Sequence, residues 1–177
     1  MEELDIRPLR PGDDLVAVAG LINEVYATAE KGLWADGAAR TTAAEVAGLV
    51  RDGELFVARL GGRIAGCVRV RRVGDDASEF GMLAAHPRGT GVGRELVRFA
   101  ERWSRGEGRD TMRLELLVPR TWSHPDKEFL AAWYARLGYR LIGAGPAEDA
   151  HPDLTPRLAT PCDFLVYQKD LCDNADG

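Results

Sequence analysis

Apolar positions recur along the chain with two different periods, and these periods predict its secondary structure. Steps of three and four residues, typical of amphipathic helices, cover residues 15–29, 42–50, 92–103 and 127–137. Alternating or continuous apolar runs, typical of strands, begin at Ile6 and cover residues 55–59, 64–71, 79–85, 112–118, 139–142 and 164–167. The order of these elements predicts one α/β domain built on a mixed sheet, with helices between its central strands.

Local end signals agree with this assignment. Thr41 or Thr42 precedes the second helix, and Glu45 completes a capping box with Thr42. Gly61 and Gly62 separate the second and third strands, and a glycine pair at such a position predicts a tight hairpin.

A glycine-rich run, Arg88-Gly89-Thr90-Gly91-Val92-Gly93, joins the strand that ends at Ala85 to the following helix. A helix N-terminus presents unpaired backbone N–H groups and the positive end of the helix dipole, and glycines let an anion approach them closely. The dinucleotide fingerprint fits poorly because the glycines alternate throughout, and a P-loop would need a Gly-Lys-Ser/Thr ending. The run therefore indicates either a diphosphate-binding turn or a purely structural connection.

A second motif, Trp133-Tyr134-Ala135-Arg136-Leu137-Gly138-Tyr139, closes the fourth predicted helix, with Gly138 as its C-cap. Together the two motifs resemble those of the GNAT superfamily of acyl-CoA-dependent N-acyltransferases. In that family an Arg/Gln-x-x-Gly-x-Gly/Ala turn binds the cofactor diphosphate, and a later helix supplies a tyrosine. The resemblance extends over roughly residues 4–171. It implies a single GNAT-like domain with a mixed, mostly antiparallel sheet of about seven strands and helices on both faces.

The resemblance also implies acetyl-CoA, or another short acyl-CoA, as co-substrate. The glycine turn would hold the diphosphate mainly through backbone donors, with Arg94 on the first turn of the helix. Lys127 stands where the family often has an asparagine that contacts the pantetheine arm. The cofactor-binding residues implied in this way are Met82, Leu83, Ala84, Ala85, Arg88, Gly89, Thr90, Gly91, Val92, Gly93, Arg94, Lys127, Trp133 and Tyr134.

Acyl transfer to an amine requires a base, because an amine with a pKa of about 10.4 is almost wholly protonated at neutral pH. Glu79 matches a family position for a glutamate base, and Glu115 is the competing candidate, acting through a bound water. The resemblance assigns the oxyanion to the backbone N–H of Leu83 or Ala84, and protonation of the leaving thiolate to Tyr134. The alternatives are a solvent-facing carboxylate for Glu79 and a core aromatic for Tyr134.

Acceptor recognition is expected from segments that flank the cleft. The predicted substrate-binding residues are Trp34, Glu79, Glu115, Trp122 and His124. A late loop, residues 147–161, contains His151 and is expected to cover the pocket. The predicted reaction is direct transfer, in a ternary complex, of an acetyl or other short acyl group to the primary amine of a small molecule. A catalytically silent acyl-CoA-binding regulatory module and a protein or peptide N-acetyltransferase stay open as alternatives.

Composition bounds the setting of this chemistry. The 177 residues carry a net charge of −5, which argues against nucleic-acid binding, and no apolar stretch is long enough for a membrane helix. Three cysteines without CxxC spacing are interpreted as free thiols, and three scattered histidines predict no metal site. We expect a cytoplasmic protein, a homodimer, with its domain over residues 1–172 and a disordered tail over residues 173–177.

Overall fold

The computed structural model of the chain describes residues 2–172, which contain seven strands in one sheet. The strands are β1 (Leu4–Pro8), β2 (Leu55–Leu60), β3 (Arg63–Val73), β4 (Ala77–Ala85), β5 (Thr111–Pro119), β6 (Arg140–Pro146) and β7 (Cys162–Asp170). Their spatial order is β1-β2-β3-β4-β5-β7-β6. Only β4 and β5 pair in parallel, so the sheet is mixed and mostly antiparallel, and the predicted fold class is confirmed.

The helices begin and end at residues whose chemistry suits those positions. They are α1 (Leu15–Ala29), α2 (Ala43–Arg51), α3 (Val92–Gly106), α4 (Pro125–Arg136) and the single turn α5 (Ala147–Ala150), which a 3-10 turn follows at Pro152–Arg157. The predicted capping box between Thr42 and Glu45 is present at the start of α2. Gly138, directly after the end of α4, has a φ of 95°, which glycine adopts without strain.

Two apolar cores cover the two faces of the sheet. Helix α3 packs on one face, where Phe80, Leu96 and Met112 belong to the larger cluster. Helices α1 and α2 pack on the opposite face, where Ile22 and Val46 belong to a second cluster. Because both faces are covered, residues 55–58 of β2 and 65–68 of β3 are continuously buried.

The sheet divides in its middle. Strands β4 and β5 pair only where Ala77–Glu79 runs beside Thr111–Arg113, whereas β5 pairs with β7 along its whole length. Beyond Glu79, β4 bulges away from its regular register with β3, and Met82 takes a φ of 48°. The two halves of the sheet therefore part on the side toward which β4 and β5 run.

The structure extends several predicted elements and changes one. The strands predicted over 79–85, 64–71, 139–142 and 164–167 are longer at one or both ends than the apolar pattern indicated. The late loop 147–161 is not continuous loop, because it contains α5 and the 3-10 turn. Residues 173–177, expected to form a tail, lie outside the described residues. Among residues 2–172, no helix combines the length and the apolarity that crossing a bilayer requires.

Candidate active site

A cleft of about 850 Å³ opens where β4 and β5 part. Its size suits a small ligand together with part of an extended cofactor arm. Its walls come from α1, the segment between α1 and α2, the bulged end of β4, the glycine turn, β5, α4 and the segment after α5. The cleft therefore joins the two motifs that the sequence singled out.

The glycine turn forms one end of this cleft. Gly89 and Gly91 have φ values of 80° and 82°, and Gly91 is the N-cap of α3, where no side chain supplies a capping hydrogen bond. The backbone N–H groups of the first turn of α3 are thus directed toward the turn without a side-chain acceptor. Arg88, Gly89, Thr90, Gly91, Gly93 and Arg94 line the cleft, whereas Val92 is buried in the core.

The edge of β4 next to the turn is divided between the cleft and the core. Met82, Leu83 and Ala85 line the cleft. Ala84 is only 1% exposed and pairs with Cys67 of β3. Of the two backbone N–H groups considered for an oxyanion, that of Leu83 is therefore the one beside the cleft.

Tyr134 lies on α4 between the two parted strands. It lines the cleft, and its ring packs on Phe80 and Trp133 at centroid distances of 6.0 and 5.1 Å. Burial raises the pKa of the Tyr134 phenol, so the hydroxyl keeps its proton throughout the physiological range. A neutral phenol in an apolar wall is able to donate a proton or a hydrogen bond to a group in the cleft.

Glu79 lines the cleft at the last position where β4 pairs with β5, and its carboxylate is held by Arg71 of β3. The Arg71 Nε and Nη2 atoms donate to one Glu79 oxygen at 3.1 and 2.8 Å. Burial is the largest single influence on the pKa of Arg71 and lowers it, but the hydrogen bond with Glu79 and the charges of Glu79, Glu54 and Glu115 together outweigh burial and leave this pKa raised. The two opposite charges therefore stabilise each other.

Glu115, on β5, meets a partner that the sequence did not pair with it. The His151 Nε2 atom lies 2.7 Å from the Glu115 Oε2 atom, and both residues line the cleft. The His151 ring stands edge-on to Phe164 at a centroid distance of 4.9 Å. The sequence indicates Glu115 as a candidate base and His151 as part of the late loop, but it does not pair them. Their contact depends on the turn after α5, and no sequence pattern predicted that turn.

Lys127 and Glu30 form a buried ion pair in the wall between α1 and α4. The Lys127 Nζ atom lies 2.5 Å from the Glu30 Oε2 atom, and the two side chains are 5% and 3% exposed. The Trp34 indole N–H donates to the other Glu30 oxygen at 3.1 Å. The residue that replaces the family's common asparagine is thus committed to this pair.

The two loops that close the acceptor end are joined by backbone hydrogen bonds. Trp34 forms a bridge with Leu158, Ala35 donates to the Arg157 carbonyl oxygen at 2.8 Å, and Ala159 donates to the Leu33 carbonyl oxygen at 2.8 Å. Trp34 faces the cleft from this joined wall. The prediction that the late segment covers the pocket agrees with this arrangement.

The other two predicted substrate-binding residues lie outside the lining of the cleft. Trp122 donates to the Thr160 hydroxyl at 3.1 Å and stacks on His124 at a centroid distance of 5.6 Å. His124 is buried, with Nε2 at 2.9 Å from the Lys31 carbonyl oxygen. Both side chains hold loops together, which is a common structural task of a tryptophan in a loop.

Two further residues of the cleft carried no sequence signal. Tyr26 follows the buried face of α1, and its ring lies under the Arg40 guanidinium at 5.2 Å from the ring centroid. Burial raises the pKa of the Tyr26 phenol, which the Arg40 charge and the nearby Leu83 N–H oppose. Arg40 comes from an irregular segment, so only the folded chain brings it to the cleft.

The thiols and acidic groups offer no other chemistry in this region. All three cysteines are free, and burial raises the pKa of the Cys67 thiol to about 12 and of the Cys162 thiol to about 11. Neither is activated as a nucleophile, since thiolate formation requires a lowered pKa. In the described part of the chain, no group of three or more His, Cys, Asp or Glu side chains is placed to hold a metal ion.

The sequence of residues 51–141 matches the family model described as an acetyltransferase (GNAT) domain. No curated protein matched the chain. Many solved structures share its fold, including the following three. N-acetylglutamate synthase from Neisseria gonorrhoeae, complexed with coenzyme A and N-acetyl-glutamate, is 18% identical with a TM-score of 0.65. The alignment covers 96% of this chain but only 35% of that larger protein.

The other two structures match along their whole length. A GNAT family acetyltransferase from Elizabethkingia anophelis, with acetyl-CoA bound, is 14% identical with a TM-score of 0.64, over 95% of this chain and 98% of that one. An aminoglycoside 6'-N-acetyltransferase complexed with coenzyme A is 14% identical with a TM-score of 0.68, over 97% and 99% of the two chains. The family match covers the glycine turn and α4, the two elements that carry the predicted motifs. The chain therefore belongs to the GNAT acetyltransferase superfamily and is an acyltransferase.

Proposed function

We propose that this acetyltransferase transfers an acetyl group, or another short acyl group, directly from its CoA thioester to the primary amine of a small molecule. The observation that carries the proposal is the position of Tyr134. It lines the same cleft as the glycine turn and as Trp34 of the joined loops. A thioester held by the turn would place its sulfur in the middle of the cleft, beside the neutral phenol of Tyr134.

The cofactor residues have separate tasks in this proposal. The N–H groups that begin α3 bind the diphosphate, with Arg88 and Arg94 as flanking charges. Met82, Leu83 and Ala85 lie along the pantetheine arm, which takes the place of the missing β4–β5 pairing. Trp133 closes the opposite side of the cleft. Lys127 contributes through its ion pair with Glu30, which fixes the wall behind the arm.

The amine must lose a proton before it attacks, and the Glu115–His151 pair is the proposed acceptor of that proton. The Glu115 carboxylate accepts from the His151 Nε2–H, which leaves the Nδ1 lone pair of the same ring as a base. Glu79 is the competing base, but the Arg71 guanidinium already stabilises its charge. Its proposed task is to attract and orient the ammonium group.

The bond changes follow from these positions. The amine nitrogen attacks the thioester carbonyl carbon, and the negative charge that develops on the oxygen is stabilised by the Leu83 backbone N–H. When the carbon–sulfur bond breaks, the thiolate takes the Tyr134 proton. The nitrogen, which carries a positive charge after the attack, gives up a second proton, so that of the two protons lost by the ammonium one restores Tyr134 through solvent and the other is released. The buried thiols of Cys67 and Cys162 take no part, because direct transfer needs no acyl-enzyme.

The closed acceptor end supports a small molecule rather than a protein as acceptor. The Trp34–Leu158 bridge and the two backbone hydrogen bonds beside it tie the loops across this end. A protein N-acetyltransferase would need an open groove there, because a peptide must enter and leave the site. The homodimer and the cytoplasmic location stay predictions.

Thiol release from acetyl-CoA, measured against amino acids, polyamines, aminoglycosides, arylalkylamines and peptides, tests the proposal. We expect amine-dependent release with one or more of the small amines and none with peptides. Binding of acetyl-CoA with no acetylated product from any amine would contradict it and favour a silent acyl-CoA-binding module.

The base is tested with Glu115→Gln, His151→Gln and Glu79→Gln, each assayed with two acceptors. With an amine that is protonated at neutral pH, we expect kcat/KM to fall about 100-fold in the first two variants. With an alkoxyamine, which is largely neutral at the same pH, the loss is expected to shrink to a few-fold because no base is needed. A defect of equal size with both acceptors in the Glu115 and His151 variants would show that this pair is structural.

A further inference from the structure

Most charged side chains that line the cleft have a partner of opposite charge. The ion pairs are Glu30–Lys127, Glu54–Arg69, Glu79–Arg71 and Asp126–Arg88, and the partner of Glu115 is the imidazole of His151. Within residues 2–172, three charged residues of the lining take part in none of these contacts: Arg94, Arg40 and Asp153. Arg94 stands beside the glycine turn at the cofactor end. The acceptor end therefore holds an uncompensated positive charge at Arg40 and an uncompensated negative charge shared by Asp153 and by Glu115, whose His151 partner is neutral in the proposed mechanism.

Arg40 is held in place by two aromatic rings instead of a carboxylate. Its guanidinium carbon lies 5.2 Å from the centroid of the Tyr26 ring and 6.0 Å from that of the Trp34 ring. The two rings are themselves fixed, since Tyr26 is part of α1 and Trp34 donates to Glu30. Stacking uses the flat faces of a guanidinium and leaves its N–H donors at the edge, in the plane that binds a carboxylate.

A second arginine at the same wall has already used its donors. Arg157 also lies over the Trp34 ring, at 5.4 Å, but it donates to the Ala39 carbonyl oxygen and ties the two loops together. Arg40 makes no such hydrogen bond among the described residues, although it is only half-buried and lines the cleft. One arginine of this wall therefore supports the loops, and the other has free donors.

We propose that Arg40 is the subsite for an anionic group of the acceptor, so that the acceptor is an amino acid or a related amine that carries a carboxylate. The proposal rests on the proposed function, whose acceptor it specifies. The carboxylate takes the in-plane N–H donors of Arg40. The ammonium group lies at the acidic side of the cleft, which is formed by Glu79 on β4, Glu115 on β5 and Asp153 after α5. A zwitterion of this shape offsets both uncompensated charges, whereas a simple cation or a polyamine leaves Arg40 unpaired.

The test compares acceptors that differ only in the carboxylate: phenylalanine with 2-phenylethylamine, and leucine with 3-methylbutylamine. In the unmodified enzyme we expect the amino acids to have the lower KM. Arg40→Met should raise KM for the amino acids about 10- to 100-fold and leave the decarboxylated amines within a factor of two. Arg40→Lys keeps the charge without the planar fork, so it should recover only part of the loss. Arg102→Met, at an exposed position of α3, is the matched control and should change neither.

Three results would overturn the assignment. The first is an equal KM for amino acids and their decarboxylated counterparts. The second is an Arg40→Met variant that raises KM for acetyl-CoA instead, because Arg40 would then belong to the cofactor. The third is an equal loss with both acceptors of a pair, which would give Arg40 a structural role in the loop.

A binding measurement separates this inference from the proposed function. If no amine is acetylated, the proposed function fails, and calorimetry on the protein saturated with coenzyme A still tests Arg40. N-acetylphenylalanine should bind the unmodified protein more tightly than N-acetyl-2-phenylethylamine does, and Arg40→Met should abolish the difference. Equal binding of the two compounds would overturn the anion subsite without reference to activity.

Discussion

The two ends of the cleft are built in different ways. At the cofactor end, one continuous stretch from β4 through the glycine turn into α3 supplies most of the lining residues, and its donors are backbone N–H groups. At the acceptor end, α1, the segment after it, β5 and the turn after α5 each supply three or four of the lining residues. Local sequence therefore specifies the first end, and long-range contacts specify the second.

This difference sets how each end tolerates change. A backbone site depends on a few dihedral angles, so it accepts most side chains at positions that keep those angles. A site made from Glu30, Arg40, Glu115 and His151 depends on side chains that the fold brings together from distant parts of the chain. Single substitutions should therefore act on specificity at the acceptor end and on cofactor affinity at the other.

Tyr134 stands where the two ends meet, and its substitution should have the largest effect. Tyr134→Phe keeps the packing on Phe80 and Trp133 but removes the proton donor. We expect kcat to fall about 100- to 1,000-fold while affinity for acetyl-CoA stays within about threefold. Steady-state kinetics and calorimetry measure the two quantities.

Tyr167→Phe is the matched control, because this ring lies 6.5 Å from that of Tyr134 in the same cluster. Its kcat should stay close to that of the unmodified enzyme. A loss of similar size in both variants would show that the aromatic cluster, rather than the Tyr134 hydroxyl, supports catalysis.

The ion pair between Lys127 and Glu30 should dominate the stability of the acceptor end. Lys127→Met leaves the Glu30 carboxylate buried without its cation, at a cost of about 3–5 kcal/mol in the free energy of unfolding. The double variant Lys127→Met, Glu30→Gln removes both charges and should recover most of this loss. Urea denaturation of the three proteins gives the comparison.

An exposed pair serves as the control for the buried one. Arg98 and Glu95 lie one turn apart on the surface of α3, and Arg98→Met should cost less than about 0.5 kcal/mol. If Lys127→Met cost no more than this surface substitution, Glu30 would be solvated or protonated, and the wall would depend on the backbone hydrogen bonds between the loops.

The sequence predicted the element order, the mixed sheet, the glycine turn and the cleft-lining Tyr134, because each has a local signal. The turn is marked by alternating glycines, and Tyr134 by its place before Gly138. The acceptor end has no such signal. Glu115 and His151 are 36 positions apart, and Glu30 and Lys127 are 97 apart, so only the folded chain pairs them. Trp122 and His124 are predicted substrate-binding residues whose side chains instead contact neighbouring loops, at Thr160 and Lys31.

The glycine turn should respond to a change in its backbone with a moderate loss of cofactor affinity. Gly91→Ala places a Cβ on a residue with a φ of 82°, which costs about 1–2 kcal/mol of strain, and moves the first N–H groups of α3. We expect the Kd for acetyl-CoA to rise about tenfold. Gly53→Ala, at a φ of 71° in a remote turn, should lose similar stability without weakening cofactor binding. Equal cofactor affinity in both variants would mean that the turn has only a structural role.

Trp122 should contribute least, and its substitution marks where the acceptor end stops. The ring stands over Gly32, donates to the Thr160 hydroxyl and is 41% exposed, so Trp122→Phe loses one hydrogen bond and little packing. The expected loss is about 1 kcal/mol in the free energy of unfolding. KM for the acceptor should stay within about twofold, because the side chain contacts loops rather than the cleft. A larger change in KM without a larger loss of stability would mean that the loop moves inward when an acceptor binds. The acceptor end would then include Trp122, which lies outside the lining of the cleft, and the contrast between the two ends of the cleft would extend to their mobility.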